Sequence, residues 1–205
     1  MLKKVCSGMA AGICICLGGA VFLAVENRIV GAVLFSVALL CICLKGYALF
    51  TGKVGFLPED HGREALSILL LALLGNTLAT VLGGWLIRLG LPALGAAAEG
   101  LCAAKLSQLW WQTLIRGFFC GVLMYLAVST YRENKTPLAI LFCIPAFILS
   151  GFEHSIADIF YFAASGMVSL RAFAFLWLVI LGNALGGMLL PVLNGLCRKG
   201  SGHGA

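Results

Sequence analysis

Apolar runs of about 20 residues follow one another from Ser7 to Leu196, separated by short polar turns. Each run is long enough to cross a hydrocarbon core as a helix. A water-soluble core could not absorb them: 61% of the chain is hydrophobic, 11% is charged, and mean hydropathy is +1.05. The expected fold class is therefore an all-α polytopic membrane protein in a lipid bilayer. With 205 residues, one bundle uses the whole chain as a single transmembrane domain. Met1-Leu2-Lys3-Lys4 looks like the charged start of a signal peptide, but no small-residue cleavage site followed by a polar mature start appears, so a retained first helix is expected.

The runs predict six helices. Helix 1 covers about Ser7 to Val25 and helix 2 about Ile29 to Leu44; helix 3 covers Glu64 to Ile87. A Gly/Ala/Pro-rich connector is expected over Leu89 to Gly100. Helix 4 follows from about Ala104 to Thr130, helix 5 from Pro137 to Ser165, and helix 6 from Ala172 to Leu196, with a polar tail from Arg198 to His203. An even number of crossings puts both termini on one side. With the termini in the cytoplasm, eight Lys/Arg lie inside (Lys3, Lys4, Lys53, Arg63, Arg132, Lys135, Arg198, Lys199) and four outside (Arg28, Arg88, Lys105, Arg171). The net charge of +6 thus reports topology, and no nucleic-acid partner is expected. Cys14/Cys16 and Cys41/Cys43 are spaced i, i+2 and point to different helix faces, so the nine cysteines read as small packing residues, with no metal, cofactor or disulfide.

Two helices are broken. Gly151-Phe152-Glu153-His154-Ser155 sets two ionisable side chains inside the fifth run. A charge at the bilayer centre costs roughly 2.5–3.5 kcal/mol on insertion scales, so such a pair reads as the mark of a pathway, the alternative being a buried Glu-His pair that only ties helices together. Glycine and small hydroxyls are what an interrupted helix needs. Leu49-Phe50-Thr51-Gly52-Lys53-Val54-Gly55, after helix 2, is too apolar for a free loop and reads as re-entrant. The two breaks belong to a repeat: Leu74-Gly75-Asn76 recurs as Leu181-Gly182-Asn183, 107 residues later, and Thr51 recurs as His154, 103 later. Three helices per copy force the second copy to insert upside down. The expectation is an inverted repeat of three plus three helices, about 7–92 and about 101–197, with broken helices 2 and 5 and a pathway between them.

Leu49-Phe50-Thr51-Gly52, Arg116-Gly117, Gly151-Phe152-Glu153-His154-Ser155-Ile156-Ala157 and Leu181-Gly182-Asn183 occur in an order and spacing that resembles the formate/nitrite transporter family over about residues 7–197. The resemblance implies an aquaporin-like protomer in a homopentamer. Each protomer would have its own pore for small monovalent anions or their neutral acids, such as formate, nitrite or hydrosulfide. It implies His154 as the central pore histidine, Glu153 beside it, and Thr51 facing it from the other break. It implies Lys105 as the residue that draws anions inward, and Leu39 and Phe147 as apolar constrictions either side of the histidine. Gly121 stands where the family has a pore asparagine, Asp158 where the motif continues with Asn, and Ala48 where an acidic residue is common. Lys45 is also unusual, and a compensation between Lys45 and Asp158 is considered.

The expected mechanism follows from desolvation. A dry ring rejects a bare anion far more strongly than its neutral acid. His154, neutral through burial, could donate a hydrogen bond or a proton to the solute between the rings, and Thr51 could donate to the same solute. Arg116 is expected at an interface rather than in the pore. The alternative, an aquaporin-like neutral-solute channel, should carry Asn-Pro-Ala loops, and no proline here follows an Asn. A membrane enzyme would need a nucleophile or metal ligands beside Glu153-His154; His61 and His203 lie in hydrophilic stretches, so no enzymatic activity is expected. A purely structural subunit is the third reading.

Overall fold

A computed structural model of the chain describes residues 1–60 and 62–200, with the side chains of 198–200 left aside. His61 and the tail residues from Ser201 on, His203 among them, lie outside the described residues. The helices are α1 (Leu2–Ala24), α2 (Arg28–Lys45), α3 (Phe50–Lys53), α4 (Arg63–Gly90), α5 (Pro92–Leu106), α6 (Trp110–Asn134), α7 (Leu138–Leu149), α8 (Ser155–Ser165) and α9 (Leu170–Gly200). A 3₁₀ turn, Val54–Phe56, continues α3. Five of these helices, α1, α2, α4, α6 and α9, are long and apolar enough to cross a membrane. The chain is a multi-pass membrane protein.

Local chemistry explains most boundaries. The Asn27 side chain caps α2 by accepting from the N–H groups of Ile29 and Val30. Gly46, at φ +69°, ends α2 in the left-handed region that favours glycine. Gly151 at φ +72° does the same after α7. One stretch corrects the sequence reading. The expected connector over Leu89 to Gly100 is the last turn of α4 and most of α5. Pro92 sits at the first turn of α5, where its missing N–H costs nothing, and the alanines behind it are strong helix formers. Helix 4 accordingly starts at Trp110, not near Ala104, and Lys105 lies in the last turn of α5.

Packing is organised around α8. All its residues but Ala163 are buried, so the helix runs through the middle of the bundle. α4 and α5 pack on it, and α5 can lie close because Gly95, Ala98 and Cys102 form its buried face. Around this centre stand two helix pairs, α1 with α4 and α6 with α9. Each pair meets glycine to glycine. A Cβ on Gly75 would lie 2.9 Å from the Met9 nitrogen and 3.0 Å from the Gly8 Cα; one on Gly182 would lie 2.9 Å from the Phe118 nitrogen. The outward faces are apolar, with Leu70, Leu74, Leu78 and Leu82 on α4 and Phe173, Trp177, Leu181 and Leu185 on α9 exposed.

The two breaks are held by one device used twice. Asn76 Oδ1 accepts from the N–H of Phe50 at 2.8 Å, and Asn76 Nδ2 donates to the carbonyls of Ala48 (2.9 Å) and Gly8 (2.8 Å). Asn183 Oδ1 accepts from the N–H of Ser155 at 2.8 Å, and Asn183 Nδ2 donates to Glu153 and Gly117, both at 2.8 Å. In each case the amide serves the first residue of the short helix, the residue two before it, and a glycine on the neighbouring long helix. Both asparagines are fully buried. A broken helix frees backbone groups that lipid cannot satisfy, at several kcal/mol each, and one amide satisfies two of them while its third bond ties the break to the carbonyl of a glycine inside an intact neighbouring helix. These bonds also set the register. Measured from the asparagine bonds, Phe50 stands where Ser155 does and Leu49 where His154 does, two residues before Thr51.

Candidate functional site

His154 is the N-cap of α8. Its Nδ1 accepts the N–H of Ala157 at 3.1 Å, in place of the usual Ser or Asp oxygen. An atom that accepts an N–H carries no proton, so the hydrogen of a neutral ring sits on Nε2. Nε2 lies 2.8 Å from Thr51 Oγ1 and donates to it. The Thr51 hydrogen is then free to turn toward a solute. The imidazole stacks on Phe147 with ring centroids 5.7 Å apart, and Phe147 meets Phe35 edge to face at 6.4 Å. Packing and the cap together leave the ring one orientation.

Two cavities approach this point. One, of about 490 Å³, is lined by Leu39, Ile42 and Leu49 at its deep end and by Lys53, Glu59, Asp60, Arg132 and Lys135 among its polar residues. The other, of about 230 Å³, is lined by Phe35, Phe147 and His154 at depth and by Arg28, Lys105, Gln108, Arg116, Glu153 and Asp158. Leu39, Phe147, Thr51 and His154 are all at most 4% exposed. The structure thus places Leu39 on one cavity and Phe147 with His154 on the other, and Thr51 touches the histidine.

The smaller cavity holds a buried ion cluster. Lys105 Nζ is bonded to Glu153 Oε2 and lies 2.9 Å from Asp158 Oδ1. The second Glu153 oxygen accepts from Gln108 Nε2 at 2.6 Å, and Gln108 Oε1 accepts in turn from the Thr113 hydroxyl at 3.2 Å. The Tyr161 ring centroid is 5.9 Å from the ammonium. Glu153 is a backbone anchor for Asn183 as well, so one residue joins the break to the charge cluster. The geometry is set by α8. Glu153 precedes its N-terminus and Asp158 lies in its first turn, where the helix dipole favours carboxylates, while the end of α5 brings the lysine.

Several expectations change. Gly121 lines neither cavity. It lies at the α6–α9 contact, where a Cβ would run into the carbonyl of Asn183 and come within 2.8 Å of the Gly187 nitrogen. Its lack of a side chain is a condition of helix packing, and its placement as a pore residue is corrected. Asp158 pairs with Lys105, so the considered compensation with Lys45 is also corrected; Lys45 is exposed in the last turn of α2. Arg116, expected at an interface, lines the smaller cavity and donates to the Gly151 carbonyl at 3.4 Å. Sequence reasoning missed Gln108, Phe35 and Tyr161, which carry no motif. It found Asn76 and Asn183 only as marks of a repeat, although an uncharged amide recurring inside two apolar runs already signals a structural bond.

The model of a family described as "Formate/nitrite transporter" matches residues 1–195. Among curated relatives, the chain is 31% identical over 192 residues to "Nitrite transporter NirC" of Salmonella typhimurium, covering 83% of this chain and 70% of that one. It is 30% identical over 186 residues to "Formate-nitrite transporter 2" of Toxoplasma gondii, covering 80% of this chain but only 40% of that longer protein. Among solved structures, an "FNT family ion channel" superimposes with a TM-score of 0.81 at 25% identity, covering 96% of this chain and 88% of that chain. A "Pentameric formate channel with formate bound" superimposes with a TM-score of 0.82 at 19% identity, covering 97% of each, and shares the fold.

Proposed function

Because the chain belongs to the formate/nitrite transporter family, we propose that it is a transmembrane channel or transporter for small monovalent anions or their neutral acids, of the formate, nitrite and hydrosulfide class, and not an enzyme. The observation that carries this reading is the 2.8 Å contact between Thr51 and His154, with Leu39 lining one cavity and Phe147 and His154 lining the other. Solute would leave water at either ring, and the cost of drying an anion there favours its neutral acid. Between the rings the Thr51 hydroxyl and the His154 Nε2–H are the hydrogen-bond donors. Nδ1 is committed to the cap, so releasing the Nε2 proton would leave an imidazolate unless Nδ1 gave up the cap bond and took a proton at the same time. His154 therefore works as a fixed donor that the solute shares with Thr51, and proton-linked permeation takes its proton from the solute's own acid equilibrium or from the vestibule.

The rest of the architecture follows in the same reading. α7 and α8 together make a sixth crossing, and α1–α4 and α5–α9 are the two halves of an inverted, aquaporin-like repeat. The matched bonds of Asn76 and Asn183 support this, as do the glycine pairs Gly8/Gly75 and Gly117/Gly182. The larger cavity faces the cytoplasm with both termini, since Lys53, Arg132 and Lys135 line it. A homopentamer fits the exposed apolar flanks and the fold shared with a pentameric channel.

The test is a panel of formate, nitrite and hydrosulfide in proteoliposomes, with pH varied on each side. Uptake of at least one of them above protein-free liposomes, lost in His154→Phe, is expected. Permeability to glycerol alone would point to the neutral-solute alternative, and no flux from an intact assembly would refute transport.

A further inference from the structure

The buried cluster of the smaller cavity holds one ammonium and two carboxyl groups. Glu153 is acceptor-only by its bonds: one oxygen takes the Lys105 ammonium and the other takes the Gln108 amide. Asp158 is different. Its Oδ1 faces Lys105 at 2.9 Å, while its Oδ2 is buried and has no hydrogen-bond partner among the described residues. The residue is 1% exposed and contributes to the cavity wall. If both carboxyls were ionised, the cluster would carry a net charge of −1 out of water, with one carboxylate oxygen unsatisfied, an arrangement that a buried site tolerates poorly. A single proton removes the excess charge, and the bare Oδ2 is the atom with room for it.

We propose that Asp158 is a proton-operated charge gate of this vestibule: with a proton on Oδ2 the Lys105–Glu153–Asp158 cluster is neutral and admits a monovalent anion, and without it the cluster is anionic and repels one. This rests on the transport reading above and adds to it the residue that makes permeation respond to pH on this side. Lys105 then cannot act as a free positive charge, because the chain's own carboxyls occupy it. The other charged or titratable groups around Asp158 do not replace its proton. From α5 comes the Cys102 thiol, from α6 the Cys120 thiol and Arg116, from α8 itself Tyr161, and from the break His154, whose Nδ1 is capped. Arg28 lies exposed at the mouth, where water screens it. From α1 comes Cys16, bonded to the Ala79 carbonyl. α4 brings Arg88, bonded to the Ser165 carbonyl at the other end of α8, and Arg171 and Lys53 lie at the ends of α9 and α3.

Asp158→Asn mimics the protonated state: one oxygen for Lys105, one N–H₂ where the O–H stood, no charge. Formate flux into proteoliposomes is measured at several external pH values for wild type, Asp158→Asn and Asp158→Glu, per assembled oligomer. The fraction of neutral formic acid changes equally for all three, so the readout is the ratio of variant to wild-type flux. The Asn ratio should be near one at acid pH and rise by about tenfold at alkaline pH, on the order of what one unit charge supplies across a vestibule. The Glu ratio should stay flat. Independently of flux, the wild-type protein should show the infrared C=O stretch of a protonated carboxylic acid at neutral pH, absent in Asp158→Asn. This reading survives if the Asn variant proves hard to fold, because the wild-type band alone must bleach on raising pH. A flat Asn ratio, or no such band, overturns the proposal. A band that bleaches as expected in a protein that passes none of the three anions overturns the transport reading and the gating role with it.

Discussion

The break before α3 and the break before α8 share a frame and differ in cargo. Both are anchored by a buried asparagine that bonds the first residue of the short helix, the residue two before it and a glycine across the pair. At matched positions one break carries Ala48 and Leu49 and the other carries Glu153 and His154. The first cap, Leu49, has no side-chain bond to its helix, whereas His154 caps through Nδ1. At the first break the backbone is satisfied by the asparagine and by the Ser7 hydroxyl, which accepts the Ala48 N–H at 3.0 Å, with no ionisable side chain; the ionisable residues are additions at the other break. The Lys105 cluster sits at that break, so the two cavities are electrostatically unlike although the asparagine anchor is the same.

The sharpest way to break the comparison is to strip the charged half of its cation. Lys105→Met leaves Glu153 and Asp158 buried without their cation and should cost about 3–5 kcal/mol, read as loss of assembled oligomer in detergent or a large drop in thermal midpoint. Lys105→Met combined with Asp158→Asn should recover part of that loss, and no recovery would mean the carboxyls do not share the lysine. Next come the anchors. Asn76→Ala and Asn183→Ala each unpair two buried backbone groups of a break, at roughly 1–3 kcal/mol per group, and remove its tie to the neighbouring long helix. The two losses should match within measurement error if the frame is common to both halves; a tolerant Asn76→Ala would show that only the charged break needs its anchor.

Smaller again is the glycine test. A Cβ on Gly12 would lie 2.8 Å from the Asn76 carbonyl, and one on Gly121 would run into the Asn183 carbonyl. Gly12→Ala and Gly121→Ala should each destabilise by about 1–3 kcal/mol through overpacking, with selectivity among anions unchanged in the protein that does assemble. A shift in selectivity without loss of stability in Gly121→Ala would return that residue to the pathway. The least disruptive change is Thr51→Val, near-isosteric and without a hydroxyl. It should lower flux by removing one donor to the solute while leaving assembly intact.

How much of this was legible beforehand divides along the same line. The membrane-spanning runs, both breaks and the recurring Leu-Gly-Asn were visible because lipid permits few alternatives and because Glu and His are conspicuous in an apolar run. The stretch from Leu89 to Gly100 was misread as a connector because small residues signal loops in water. Here they let α5 lie on α8. Gly121 was misread for a related reason: a sequence shows that a side chain is absent, not whether the space faces a cavity or a neighbouring backbone. The second carboxyl on Lys105 was out of reach, since residues 105, 153 and 158 meet only when the end of α5 is brought to the start of α8. The two-residue offset between Thr51 and Leu49 as the partner of His154 needed the asparagine bonds themselves.

The proposed constriction is made by His154 and Thr51, with Leu39 and Phe147 as its apolar rings. The most direct measurement is formate flux per correctly assembled oligomer for wild type, His154→Asn and His154→Phe over a range of pH. Asn keeps a cap acceptor and a donor, so His154→Asn should assemble, conduct at reduced rate and keep the wild-type pH response, because the proton is not held on the imidazole. Phe joins the two apolar rings into one dry plug, and flux should fall to the level of protein-free liposomes. Wild-type flux through an intact His154→Phe assembly would place the pathway elsewhere and contradict the account.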